Sequence, residues 1–156
     1  MRYLIDGHNL IPKLGLRLDS LDDELELISI LQEFYRVARK PVEVYFDGAP
    51  APHAGTRKYG MITAHFVLRG TTADEAIRRH LKRLGKTAKT WSVVTSDRQV
   101  QAEARAVSAE IISSDSFAKT LKRTRSTDSK SKSDREMSDN EIDEWLNLFE
   151  KRTKKP

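Results

Sequence analysis

The apolar residues of this chain follow two rhythms in alternation. Short apolar runs stand at residues 3–5, 42–46, 61–68, 91–95 and 110–112, and read as strands. Between them apolar residues recur at helical spacing. Leu21, Leu25, Ile28, Leu31, Tyr35 and Ala38 trace one helix to Arg39, with Ser20 as N-cap and Asp22, Asp23 and Glu24 favourably placed against its dipole. Pro41 closes it, because the residue before a proline is biased out of the α region. Ala73, Ile77, Leu81 and Leu84 trace a second, opened by Thr72 as N-cap with Glu75 as capping-box partner. Val100, Ala104 and Val107 trace a third, and Ser113 or Ser114 caps a last short helix through Phe117 and Leu121. Residues 49–60 hold Pro50, Pro52, Gly55 and Gly60 and read as an exposed loop. Strands alternating with helices predict an α/β fold of βαβ units with a mainly parallel, five-stranded sheet and right-handed crossovers.

Beyond residue 121 the pattern changes. Residues 122–136 contain no apolar side chain, only Lys and Arg among serines, threonines and acids, which predicts a flexible basic linker over 122–137. Ser138 and Glu141 then make a further capping box, and Ile142, Trp145, Leu146 and Phe149 follow at i, i+3, i+4 and i+7. An amphipathic helix over 138–150 is expected, marginal alone and therefore docked on its own domain, on a second copy or on another protein. The organisation is thus a domain over 1–121, the linker, and the C-terminal helix.

Composition narrows the class. No apolar run approaches the ~20 residues needed to cross a bilayer, and the first residues lack a basic segment followed by an apolar one, so no membrane contact is expected and the expected location is the cytoplasm. There is no cysteine, which removes disulfides, thiolate zinc sites and cysteine nucleophiles together. Four histidines, His8, His53, His65 and His80, share no spacing that would suggest zinc. The formal charge is +5, which favours polyanionic partners without saying which.

The chemistry lies at strand ends. The run Tyr3-Leu4-Ile5 ends in Asp6, followed by Gly7, which permits a sharp turn, and by Asn9, with both an amide donor and a carbonyl acceptor. Residues 42–46 run into Asp47-Gly48, and residues 91–96 into Asp97. Ligands of open α/β sheets bind outside the carboxyl ends of the strands, so these acids, with Asp74 in a first helical turn and Asp115 as a fifth candidate, would gather at one rim. Carboxylates held together repel unless a cation joins them. Hard oxygen donors of this type suit Mg²⁺ or Mn²⁺, and such an ion would polarise a phosphodiester and activate water. Arg57, Lys58, Arg78, Arg79, Lys82, Arg83 and Arg98 would surround the rim and draw in a nucleic-acid backbone. Each acid has another role open to it. Asp74 and Asp97 suit helix N-termini whatever the chemistry, Asp47-Gly48 suits a turn, Asp115 suits capping, Asn9 could stabilise its own loop, and the basic helix face could be merely solvated.

Asp6-Gly7-His8-Asn9, Val44-Tyr45-Phe46-Asp47-Gly48, Thr71-Thr72-Ala73-Asp74-Glu75 and Val93-Val94-Thr95-Ser96-Asp97, in this order over residues 1–121, together resemble the YacP-like NYN domains of the PIN-like nuclease group. The segment 141–149 also looks like a C-terminal helix of some relatives. The resemblance implies a three-layer, Rossmann-like (PIN-like) sandwich and a metal-dependent endoribonuclease. By position Asp6, Asp74 and Asp97 match the family's metal-coordinating acids, Asn9 the polar residue beside the first of them, and Asp47 lines the same pocket. The family often carries a longer segment after the fourth motif than residues 104–110 here, which leaves Asp115 outside the matched motifs. The expected activity is hydrolysis of RNA, free or ribosome-associated, with Mg²⁺ or Mn²⁺. The competing reading is an RNA- or ribosome-binding module that keeps the acidic pocket without turnover. A phosphatase or phospho-accepting domain is disfavoured for lack of a DxDxT-type nucleophile, and a dinucleotide enzyme because no GxGxxG follows the first strand.

Overall fold

The first strand, β1 (Arg2–Asp6), lies between two parallel neighbours, β2 (Val42–Ala49) and β5 (Trp91–Val94), and its last four residues are buried. Around this centre the computed structural model, which describes residues 1–16 and 21–134 and side chains of 1–16 and 22–124, builds a six-stranded sheet in the order β3-β4-β2-β1-β5-β6. β4 (Ile62–Leu68) pairs parallel with β2, and β6 (Glu110–Ile112) parallel with β5. β3 (Gly55–Tyr59) runs antiparallel to β4 at the edge.

Alternation along the strands divides the interior into two cores. Tyr3 and Ile5 of β1 join Val42, Val44 and Phe46 of β2 on one face, under Leu27, Ile28, Leu31 and Phe34 of α2 (Leu21–Ala38) and Phe117 and Leu121 of α5 (Ser114–Asp134). Leu4, Tyr45 and Val93 face the other way, under Ala73, Ile77 and Leu81 of α3 (Ala73–Leu84) and Val100 and Ala104 of α4 (Arg98–Ala106). A period of two on strands forces this division. A four-residue helix, α1 (Gly7–Leu10), follows β1 directly, with a 3₁₀ turn (Ile11–Leu14) after it.

Several expectations are corrected. The sheet has six strands, not five, because residues 55–59, read as part of a loop, form β3. This strand is polar since it is an edge, and edge strands tolerate charge. Residues 122–134, read as linker, continue α5 as helix. The stripe of α2 is shifted: Leu25 is exposed and Tyr35 half-buried, while Leu27, Ile30 and Phe34 are buried. Gly7 is helical with no positive φ; it is required because a Cβ there would stand 2.3 Å from the Phe46 ring. Ser113, not Ser114, caps α5, its hydroxyl accepting from the Ser116 N–H at 3.1 Å. The Ser20 cap, residues 135–137 of the linker and the helix expected over 138–150 lie outside the described residues. Among the described residues no helix is long and apolar enough to cross a membrane.

Candidate active site

Parallel strands bring their carboxyl ends to one rim, and three acids meet there. Asp6 ends β1 and is only 5 % exposed. Asp74 sits in the first turn of α3, and its carboxylate lies within hydrogen-bonding range of those of Asp6 and Asp97. Asp97 caps α4, its Oδ1 accepting from the N–H groups of Gln99 at 2.8 Å and Val100 at 3.2 Å. Burial, then the charge of Asp74, pushes the Asp6 carboxyl up to about 7, against the opposing pull of the Asn9 N–H and His8. Burial, then contact with Asp97, raises Asp74 as well. Burial acts upward on Asp97 too, but the Val100 N–H, Asp74 and the Gln99 N–H outweigh it and hold this carboxyl below the usual carboxylate range. The result is a buried acid and a half-buried one that resist ionisation, beside a third that ionises readily.

That donor set fits a hard divalent cation in its chemistry, since the charges that raise Asp6 and Asp74 are those a cation would relieve. Among the described residues, however, no group of three or more His, Asp or Glu side chains stands at metal-holding spacing. Asp74 is the link between the other two, since Asp6 and Asp97 each act on its carboxylate.

Beside the acids lies an ion cluster that sequence reasoning missed. His8 Nδ1 meets Asp47 Oδ1 at 2.6 Å, and His8 Nε2 meets Glu24 Oε2 at 2.6 Å. Burial works against the imidazolium, but hydrogen bonds to Glu24 and Asp47 outweigh it and raise the His8 pKa. Asp47 stands where β2 loses register between Phe46 and Ala49, and its Oδ2 also receives the Ala73 N–H at 3.5 Å. It therefore lies next to the cup but is engaged by His8. Only the clustering of Asp22, Asp23 and Glu24 at one helix start pointed toward Glu24, and that signal read as dipole chemistry.

Asn9 joins three elements. Its Oδ1 accepts from the Ser96 N–H at 2.9 Å and from the Ser114 hydroxyl at 3.0 Å. The oxygen is thus occupied, leaving the amide nitrogen as the group a substrate oxygen would meet. Asp115 does not join the acids: it is exposed and pairs with Lys13 at 3.2 Å.

The basic residues separate into sets. The charge of Arg78 acts on both Asp74 and Asp97, and its Nε lies 3.9 Å from Glu103. Arg98 is exposed directly after Asp97. Arg79, Lys82 and Arg83 are exposed along α3, and Lys58 on β3. Arg57 points to the other face, its guanidinium 5.0 Å from the Phe66 ring and donating to the His53 carbonyl at 2.8 Å.

A mainly parallel α/β sheet with acids gathered at its carboxyl rim defines the class, an α/β domain with a polar site at its strand ends. The chain belongs to the YacP-like NYN domain family, whose model matches residues 3–154. It is similar in structure to Rae1 (YacP) from Bacillus subtilis, with a TM-score of 0.63 at 23% identity over 97% of this chain and 93% of that one. A tryptophan-to-leucine variant of that protein gives a TM-score of 0.64 at 23% identity, over 81% of this chain and 79% of the other. No curated protein matches the chain in sequence.

Proposed function

We propose that this protein is an endoribonuclease that hydrolyses RNA phosphodiester bonds at Asp6, Asp74 and Asp97 with Mg²⁺ or Mn²⁺. The observation that carries the reading is the convergence of three carboxylates from three elements on one rim, with Asp6 raised to about 7 by burial and by Asp74. Membership of the NYN family, generally nucleases, supports it. Asp6, Asp74 and Asp97 would hold the ion, which when bound supplies Lewis-acid polarisation of the phosphodiester and a more acidic water. The chain's own groups do the rest. Arg78 and Arg98 attract the scissile phosphate, and the Asn9 amide, fixed through its oxygen by Ser96 and Ser114, donates to a substrate oxygen. The α3 and β3 cations hold the flanking strand.

Asp97→Asn is the sharpest test. Asparagine caps a helix as well as aspartate does, so the substitution removes charge without removing the start of α4. Asp97→Asn and Asp6→Asn should each lose RNA cleavage in Mg²⁺ or Mn²⁺ while melting cooperatively. Undiminished cleavage in both, or cleavage persisting in excess chelator, rules the mechanism out.

One observation favours a second reading. No three side chains among the described residues reach metal-holding spacing, which suits a module that binds RNA, free or on the ribosome, without turnover. Salt-sensitive RNA binding with no cleavage across several metals and RNAs would select it.

A further inference from the structure

The sheet extends past the helix that covers it. α3 packs on β1 and β2, while β3 and β4 project beyond, with α2 against the opposite face of β4. On the α3 side this leaves a floor of Thr63, His65 and Val67 of β4, all half-buried, bordered by the exposed Thr56 and Lys58 of β3. Register places Thr56 opposite His65 and Lys58 opposite Thr63, and Thr56 Oγ1 bonds His65 Nδ1 at 2.9 Å. The far wall is the edge of α3 that carries His80 and Arg83. There the Tyr45 hydroxyl bonds His80 Nδ1 at 2.7 Å, and Arg83 lies close enough to act on the same hydroxyl. Tyr45 in turn stacks on His65, with ring centroids 4.3 Å apart and planes 18° from parallel. At the amino ends of the strands the floor opens into a cavity of about 190 Å³ lined in part by Arg2, Glu43, Lys58, Thr63 and Trp91.

Charge selects the occupant. Arg2, Lys58 and Arg83 border this trough, against the carboxylate of Glu43. That carboxylate is already engaged by His65 Nε2 at 2.6 Å and faces His80 Nε2 at 3.9 Å. A polar floor flanked by cations, with a cavity at its end, is a combination that suits an unpaired nucleic-acid strand, with phosphates on the walls. The trough also leads to the acidic cup. Glu43 precedes Asp47 on β2 by four residues, roughly 13 Å at strand rise, a span of a few nucleotides.

We propose that this trough carries a single-stranded RNA segment away from the cleaved bond, with phosphates on Lys58 and Arg83 and a base entering the cavity lined by Arg2 and Trp91. The identity of the polyanion rests on the ribonuclease reading above, but the trough is tested by binding alone. Fluorescently labelled oligoribonucleotides of increasing length are titrated against the full chain carrying Asp97→Asn. Affinity should rise with length as the strand reaches the cavity. Lys58→Glu and Arg83→Glu, each shown to melt like the parent, should remove that gain. Each should weaken the longer strands by about tenfold and lower the salt dependence by roughly one released counterion per lost contact. A strand bearing 4-thiouridine should crosslink to the segment containing His65 or to that containing Trp91. Unchanged affinity and salt slope in both variants overturns the proposal. So does a change in oligomeric state with RNA binding intact, which would make the face a contact between copies. Loss of cleavage in Asp6→Asn with trough variants binding normally would sink the trough and leave the nuclease. Surviving cleavage in both acid variants, with trough binding impaired, would do the reverse.

Discussion

The side-chain oxygen of Asn9 accepts the backbone N–H of Ser96 at 2.9 Å, so the exit of β1 is tied to the exit of β5 across a gap of 87 residues in sequence. The same oxygen receives the Ser114 hydroxyl at 3.0 Å. Asn9→Leu, similar in volume but without an acceptor, strands the buried Ser114 hydroxyl at a cost of about 1–3 kcal/mol, while the exposed Ser96 N–H turns to water. Asn9→Asp keeps the acceptor and adds a charge beside Asp6. Thermal melting should therefore rank wild type close to Asn9→Asp and well above Asn9→Leu at acidic pH. Cleavage should fall in both variants, since both lack the amide donor. Equal melting of Asn9→Leu and wild type would show that the tie contributes nothing.

His8 predicts a pH dependence. Its folded pKa is raised by Glu24 and Asp47, so the folded chain holds its proton more tightly than the unfolded one does. The stabilisation is complete below the ordinary histidine value of 6.5 and is lost as pH climbs through the raised value. Asp6 titrates in an overlapping range, so the comparison is made in an Asp6→Asn background. There, the stability difference between His8 and His8→Gln, followed by denaturant unfolding from pH 6 to 9 (a window of about three units), should shrink steadily. A difference independent of pH would mean that the imidazole is not the charged bridge described.

Much of this site could be read before any coordinates, because it obeys local rules. An acid ending a buried run, a capping box at Thr72 and Glu75, and a Ser-Asp pair opening α4 are each defined within a few residues, and parallel pairing does the gathering. The Thr72 cap forms as expected, its hydroxyl accepting from Glu75 at 3.1 Å. What escaped the sequence depends on distant partners. His8 and Glu24 are joined across 16 residues on different elements, with no periodicity to mark the pair. β3 reads Gly-Thr-Arg-Lys-Tyr, and an edge strand with an open face has no apolar alternation to betray it. The extension of α5 is built from Lys, Arg and Ser, and two of these are good helix formers whose presence also signals linker.

Gly7 illustrates a residue whose reason changed. It is needed for space, not for backbone freedom: a Cβ there would meet Phe46 Cε1 at 2.3 Å and the Tyr45 carbonyl oxygen at 3.0 Å. Phe46 is fully buried and stacked on Phe66 at 5.5 Å, so its ring has little room to yield. Gly7→Ala should cost about 1–3 kcal/mol as an overpacked core does. Phe46→Leu alone should also destabilise, by leaving a void. The double variant should be more stable than the sum of the two losses, because each relieves the other. Strict additivity in chemical denaturation would show that the two side chains do not compete.

Asp6 joins stability to function most directly. Its pKa rises from 3.8 to about 7 on folding, the opposite of a salt-bridged carboxylate, so the sign reverses. Between these values the folded chain binds more protons than the unfolded chain, and stability falls as pH increases. Below the unfolded pKa no penalty exists; above about 7 it is complete, on the order of 2 kcal/mol once discounted for relaxation and solvent. Asp6→Asn, matched in size and uncharged, should therefore be more stable than wild type at pH above the folded value and lose that advantage in acid. A divalent cation held at the cup would remove the same penalty by mass action. Millimolar Mg²⁺ or Mn²⁺ (concentrations of the order used to saturate weak sites) should then raise the melting temperature of wild type at alkaline pH, while leaving that of Asp6→Asn nearly where it was. If the two chains respond alike to metal, the carboxylates meet without serving a cation. If Asp6→Asn is no more stable than wild type above the folded pKa, the buried acid costs the fold nothing.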